Sequence, residues 1–103
     1  MGMDYCWSGC ASYPRFNKEL EAVANIFGGY KSSITNGPCF ILPKNINPIL
    51  ARWLQEPYGD YTSEKTKIIW DIVQQHPEIE EVSDQIWNEL KICCELNVAW
   101  YIY

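Results

Sequence analysis

The stretch from Pro77 to Asn97, PEIEEVSDQIWNELKICCELN, constrains what this chain can fold into more than any other. Ile79, Val82, Ile86, Leu90 and Cys93 recur at spacings of three and four, while Glu81, Asp84, Asn88, Lys91 and Glu95 fall on the opposite side. This spacing predicts one amphipathic helix of about five turns, opened by His76-Pro77 and closed by Asn97 in the left-handed conformation. One face then needs a core, and the other needs water or a cationic partner. Ile92 falls on the polar side, where an apolar residue marks a second packing layer or a contact surface.

The rest of the chain supplies elements to pack against that helix. Tyr5 and Trp7 alternate with Asp4 and Cys6, which reads as a strand over Met3 to Ser8, followed by a loop from Gly9 to Tyr13. Pro14 opens a helix in which Phe16, Leu20, Val23 and Phe27 repeat at helical spacing, and Gly28-Gly29 ends it. Tyr30 to Thr35 and Cys39 to Leu42 flank Asn36-Gly37-Pro38 as a hairpin, with Pro38 lacking the N–H that would close a two-residue turn. Asn47-Pro48 caps a short helix carrying Ile49, Leu50, Trp53 and Leu54, and Glu56 to Tyr61 is a turn-rich loop. Thr62 caps a third helix running to about Gln75, with Glu64 in its first turn and Trp70 at the rim of its apolar arc. Val98 to Tyr103 closes the chain as a strand.

The expected order is β-α-β-β-α-α-α-β, an α+β fold. It implies one small mixed or antiparallel sheet of three to four strands with helices packed on one face. At 103 residues with 48% apolar content, five Trp, seven Tyr and three Phe, residues 1–103 read as a single globular domain. An apolar C-terminal strand needs neighbours on both sides, or it becomes an adhesive edge.

Charge is distributed unevenly. Residues 56–97 hold ten acids against Lys65, Lys67 and Lys91, a net of −7, whereas residues 1–55 hold three acids against five bases, a net of +2; together they give the overall −5. That balance excludes nonspecific binding to nucleic-acid phosphates or anionic lipid, which need a positive surface. The start of the sequence lacks the basic and apolar regions of a signal peptide, and no run approaches the roughly 18 apolar residues of a membrane span. The expectation is a soluble, cytoplasmic chain whose five cysteines are reduced.

Each candidate chemistry has a plainer alternative. Cys6 and Cys10 share a CxxxC spacing and Cys93-Cys94 are adjacent, but zinc needs four ligands at paired spacings and His76 is the single histidine. Packed thiols are favoured, and no metal or cofactor is expected. A nucleophilic cysteine would need His76 beside it and donors for an oxyanion. The glycine pair ends a helix and lacks the lysine of a phosphate-binding loop. The acids of residues 78–89 are more often a solvated helix face than a general acid/base pair, and a docking surface is the functional use to favour. Trp and Tyr are frequent interface anchors, and Tyr58, Tyr61, Trp70, Trp87, Tyr101 and Tyr103 include loop, rim and terminal positions.

In size, acidity, aromatic content and lack of a catalytic motif, the chain resembles the small inhibitors encoded by phages and other mobile elements, among them anti-CRISPR proteins and nuclease inhibitors. The resemblance is one of composition and carries over no residue. It implies an inhibitor that masks a basic, nucleic-acid-binding surface of a protein partner. The expected interface comprises Glu78, Glu80, Glu81, Asp84, Glu89, Glu95, Trp70, Trp87, Tyr58 and Tyr61. Direct binding to nucleic acid or membrane is not expected, and a dimer is allowed. The competing readings are a small enzyme using Cys6, Cys10 or His76 and a structural or adaptor domain.

Overall fold

The computed structural model describes residues 2–4, 10–32 and 40–102; of residues 2–4 and 10–13 only the backbone is considered. Eleven elements follow in order: β1 (Gly2–Asp4), β2 (Cys10–Ser12), α1 (Tyr13–Ile26), β3 (Tyr30–Lys31), β4 (Phe40–Ile41), α2 (Pro48–Gln55), β5 (Gly59–Tyr61), α3 (Ser63–Val73), α4 (Glu78–Val82), α5 (Asp84–Leu96) and β6 (Trp100–Ile102). The α+β class is borne out. The strands, expected in one sheet of three to four, form two-stranded antiparallel ladders instead: β1 with β2, β3 with β4 and β5 with β6. Two of these use segments expected as loops: Cys10–Ser12 pairs with nearby Gly2–Asp4, whereas Gly59–Tyr61 finds its partner beyond three helices, in Trp100–Ile102. Residues 5–9 and 33–39, where the expected Asn36-Gly37-Pro38 hairpin loop falls, and Tyr103 lie outside the described residues.

Several helix ends form where their capping residues dictate. The Asn47 side chain accepts from the backbone N–H of Ile49 at 2.8 Å and of Leu50 at 3.4 Å, with Pro48 in the first turn. Thr62 accepts from Lys65 N–H at 3.3 Å at the start of α3. Asn97 takes φ 54° and ψ 48°, and the N–H groups of Asn97 and Val98 return to the carbonyls of Cys94 and Cys93. Gly28 turns the chain after α1 with φ 86°, and Gly29 lies so close to Leu42 that a Cβ would stand 2.6 Å from its Cδ2.

The main departure is in the organising stretch itself. Residues 77–97 form two helices, broken at Ser83, whose extended backbone (φ −155°, ψ 87°) ends α4 and caps α5. Its hydroxyl accepts from Ile86 N–H at 3.2 Å, a bond available only if the helix restarts there. Ile79, Ile86, Leu90 and Cys93 are fully buried as expected, but the break turns Val82 outward, leaving it exposed.

The core is continuous across the helices and the last ladder. Phe16, Leu20, Val23 and Ala24 come from α1, Leu50, Trp53 and Leu54 from α2, Ile69 and Val73 from α3, Ile79 from α4, Ile86, Leu90 and Cys93 from α5, and Trp100 and Ile102 from β6. Trp53 and Trp100 meet with ring centroids 5.4 Å apart. Gln55 bridges to β4, its amide both accepting from Phe40 N–H and donating to Phe40 C=O, as a further strand would. No helix among the described residues is long and apolar enough to cross a membrane.

Candidate functional site

The elbow between α4 and α5 gathers four of the expected interface residues. Glu78, Glu80 and Glu81 occupy α4, Asp84 opens α5, and all four are exposed around the outward-facing Val82. Helix N-termini stabilise nearby carboxylates through their unpaired N–H groups and dipoles, which by itself accounts for acids in these first turns. That account leaves Val82 unexplained, since an exposed valine at the end of α4 stabilises neither helix. Of the four acids, Glu78 stands 3.5 Å from His76 Nδ1, while Glu80, Glu81 and Asp84 make no salt bridge among the described residues.

The remaining expected residues are dispersed or buried. Glu89 is fully buried, its Oε1 accepting from the Trp100 indole N–H at 3.3 Å, so it belongs to the core and not to the interface. Its position one turn before Cys93 and next to Leu90 puts it on the apolar side, where a carboxylate is retained only if donors meet it. Tyr61 is buried as well, 7% exposed, and its hydroxyl donates to the Glu56 carbonyl. Glu95 is exposed but lies 11 residues beyond Asp84 on the same helix, roughly 16 Å along the axis. Trp70 and Trp87 are half-buried and pack edge to face, centroids 4.9 Å apart, across the seam between α3 and α5. That contact is a packing role; the backbone N–H of Trp87 bonds to Ser83 C=O in the first turn of α5. Tyr58 is exposed, 6.0 Å from the Phe16 ring.

Tyr58 and Tyr61 instead line a shallow depression of about 110 Å³ with Arg52, Glu56, Asp60 and Lys65. Ligand pockets are usually about 300 to 1,000 Å³. The depression already spends charge internally, with Arg52 Nε 3.6 Å from Glu56 Oε2, so water is its natural occupant. Among the described residues, no three of His, Cys, Asp and Glu gather where a metal ion would bind.

The cysteine and histidine candidates have packing partners. His76 packs its ring edge to face with Phe27 at 4.8 Å, besides its contact with Glu78. Cys93 is fully buried, with Sγ directed at Ala99 C=O. Burial pushes the Cys94 thiol above its ordinary range, with Asp71 adding to the rise and Lys67 opposing it. Such a thiol carries less thiolate than a free cysteine, the reverse of an activated nucleophile. Cys94 should therefore react with iodoacetamide at pH 7.5 at least about threefold more slowly than a free thiol. Peptide mass spectrometry after timed quenching measures this, and preferential labelling of Cys94 would revive the enzyme reading. Cys6 and Cys39 lie outside the described residues, and Cys10 is described only as a backbone position in β2.

Residue-level reading of the sequence missed Val82, yet a signal was present. Ser83-Asp84 is a capping residue followed by an acid, the start signature of a helix, standing inside a run read as continuous. Comparison of the chain with protein-family models, with curated proteins and with solved structures returns no match.

Proposed function

We propose that the chain is a binding protein that covers a basic, nucleic-acid-binding surface of a protein partner, docking through the α4–α5 elbow and acting in the cytoplasm by steric and electrostatic exclusion. The observation that carries this reading is the set of exposed carboxylates of Glu80, Glu81 and Asp84 around exposed Val82. Carboxylates without an internal cation keep their charge available to Arg or Lys across an interface, and the valine supplies the apolar centre that a purely solvated face lacks. The −7 balance of residues 56–97 adds long-range attraction toward a positive partner. Small inhibitors of mobile elements, which the chain resembles in size and acidity, work in this way.

The test uses a partner recovered by affinity capture and then purified. Glu80→Gln, Glu81→Gln and Asp84→Asn are combined, because these substitutions remove charge and keep a good helix-start residue at position 84. The expected result in surface plasmon resonance at 50 and 300 mM salt is a wild-type association rate that falls with salt. The triple variant should associate about tenfold more slowly at low salt and show a weaker salt dependence than wild type. An association rate indifferent to salt, with full affinity in the triple variant, would remove the elbow from the proposal.

A further inference from the structure

The helix break at Ser83 divides an apolar stripe that itself runs on uninterrupted. Ile79, Val82, Ile86, Leu90 and Cys93 keep spacings of three and four through it, yet Val82 is 38% exposed while the other four are fully buried. Ser83 holds the break locally: its backbone is extended at φ −155° and ψ 87°, and its hydroxyl accepts from Ile86 N–H at 3.2 Å. If residues 77–97 ran straight, the N–H groups of Asp84, Gln85 and Ile86 would reach the carbonyls of Glu80, Glu81 and Val82, and Val82 would return to the stripe. A single copy cannot straighten there without loss. α4 packs on α1 with Ile79 fully buried, while α5 packs on α3 and β6 pairs with β5, so a straight helix draws one of these two groups off its seat.

We propose that a second copy of this chain removes that loss: the helix straightens at Ser83, and two copies exchange the segment from Asp84 onward, α5 together with β6. Each α5 then seats on the other copy's α3 and each β6 on the other copy's β5. The Trp70–Trp87 and Trp53–Trp100 contacts and the β5–β6 ladder are thereby remade between copies instead of lost. Straightening adds backbone bonds and draws Val82 in from water; against it stand the loss of two Ser83 caps and the entropy of joining two chains. The exchange also brings the exposed Glu80, Glu81 and Asp84 of the two copies toward one another, a repulsion that salt screens. It requires no other partner and is independent of any docking at the elbow.

The test is refolding of the whole chain from denaturant at millimolar concentration with reductant present, followed by size exclusion with light scattering. Wild type should yield a dimer, and more of it at high salt than at low. Ser83→Ala should raise the dimerisation constant about thirtyfold, because each wild-type dimer gives up two caps that the variant never had. Asp84→Pro should lower it at least about a thousandfold: proline suits the first turn of α5 and the extended residue before it, but not the interior of a straight helix. Ser83→Ala pushes in the opposite direction, so the test holds even if the proline variant folds poorly. Labelled and unlabelled chains refolded together identify the dimer. An isotope-filtered NMR experiment should show cross-relaxation between Trp53 of one copy and Trp100 of the other, whose rings stand 5.4 Å apart. A wild type that stays monomeric, Ser83→Ala no more dimeric than wild type, or a dimer in which the Trp53–Trp100 contact stays within one copy would overturn the exchange.

Discussion

Leu90→Asp is expected to leave the chain without a cooperative melting transition. Leu90 is fully buried in α5, between Ile86 and Cys93, and α5 packs against α3, α4 and β6. Removing most of a buried leucine costs about 2 to 5 kcal/mol in cavity and transfer terms. The new carboxylate adds several more, since an isolated charge taken from water needs a partner. No buried cation is present to supply one among the described residues, and Glu89, the buried group next to it in sequence, is itself an acid. The total approaches or exceeds the roughly 5 to 15 kcal/mol that hold a domain folded. Ile86→Asp should behave in the same way, whereas Glu81→Ala, at an exposed position, should change stability by no more than about 0.5 kcal/mol. Melting followed by circular dichroism makes the comparison; coincident curves for Leu90→Asp and wild type would mean that α5 is not the helix around which the core is built.

What could be read from the chain divides by the range of the interaction responsible. Asn47-Pro48, Thr62, Gly28-Gly29 and Asn97 act within a few residues of themselves, and each helix end that they mark is found close to its expected position. The core stripes of α1 and α5 were similarly readable, because burial at spacings of three and four is a local pattern. What escaped depends in part on a distant partner: Gly59–Tyr61 becomes a strand only because Trp100–Ile102 lies beside it. The continuous 77–97 helix failed for a different reason: its apolar spacing passes through Ser83 without interruption, but the extended backbone there lets the buried Ser83 hydroxyl cap α5 at Ile86 N–H. The same split decided the candidate interface: acids at helix starts stayed at the surface, while Glu89 was claimed by an indole 11 residues away.

That indole sets the second large effect. Trp100→Phe should lower the melting temperature by about 15 °C or more, because the change removes two favourable terms together. The smaller ring leaves space against Trp53, now 5.4 Å from Trp100, at about 1 to 3 kcal/mol. Loss of the Nε1–H withdraws from the buried Glu89 carboxylate a donor 3.3 Å away, at about 1 to 3 kcal/mol for a charged acceptor. The two contributions separate in a double-mutant cycle with Glu89→Gln, which preserves size and cancels the charge. If the charge-assisted bond carries its share, Trp100→Phe should cost about 1 to 3 kcal/mol less in the Glu89→Gln background. Denaturant unfolding of the four proteins measures the coupling, and additivity within about 0.5 kcal/mol would assign the whole effect to packing. Either result bears on the acidic surface, because a carboxylate that answers to Trp100 is committed to the fold. Glu89→Gln should therefore shift the unfolding midpoint while leaving the salt dependence of partner association unchanged, the opposite of what neutralising Glu80, Glu81 and Asp84 should do.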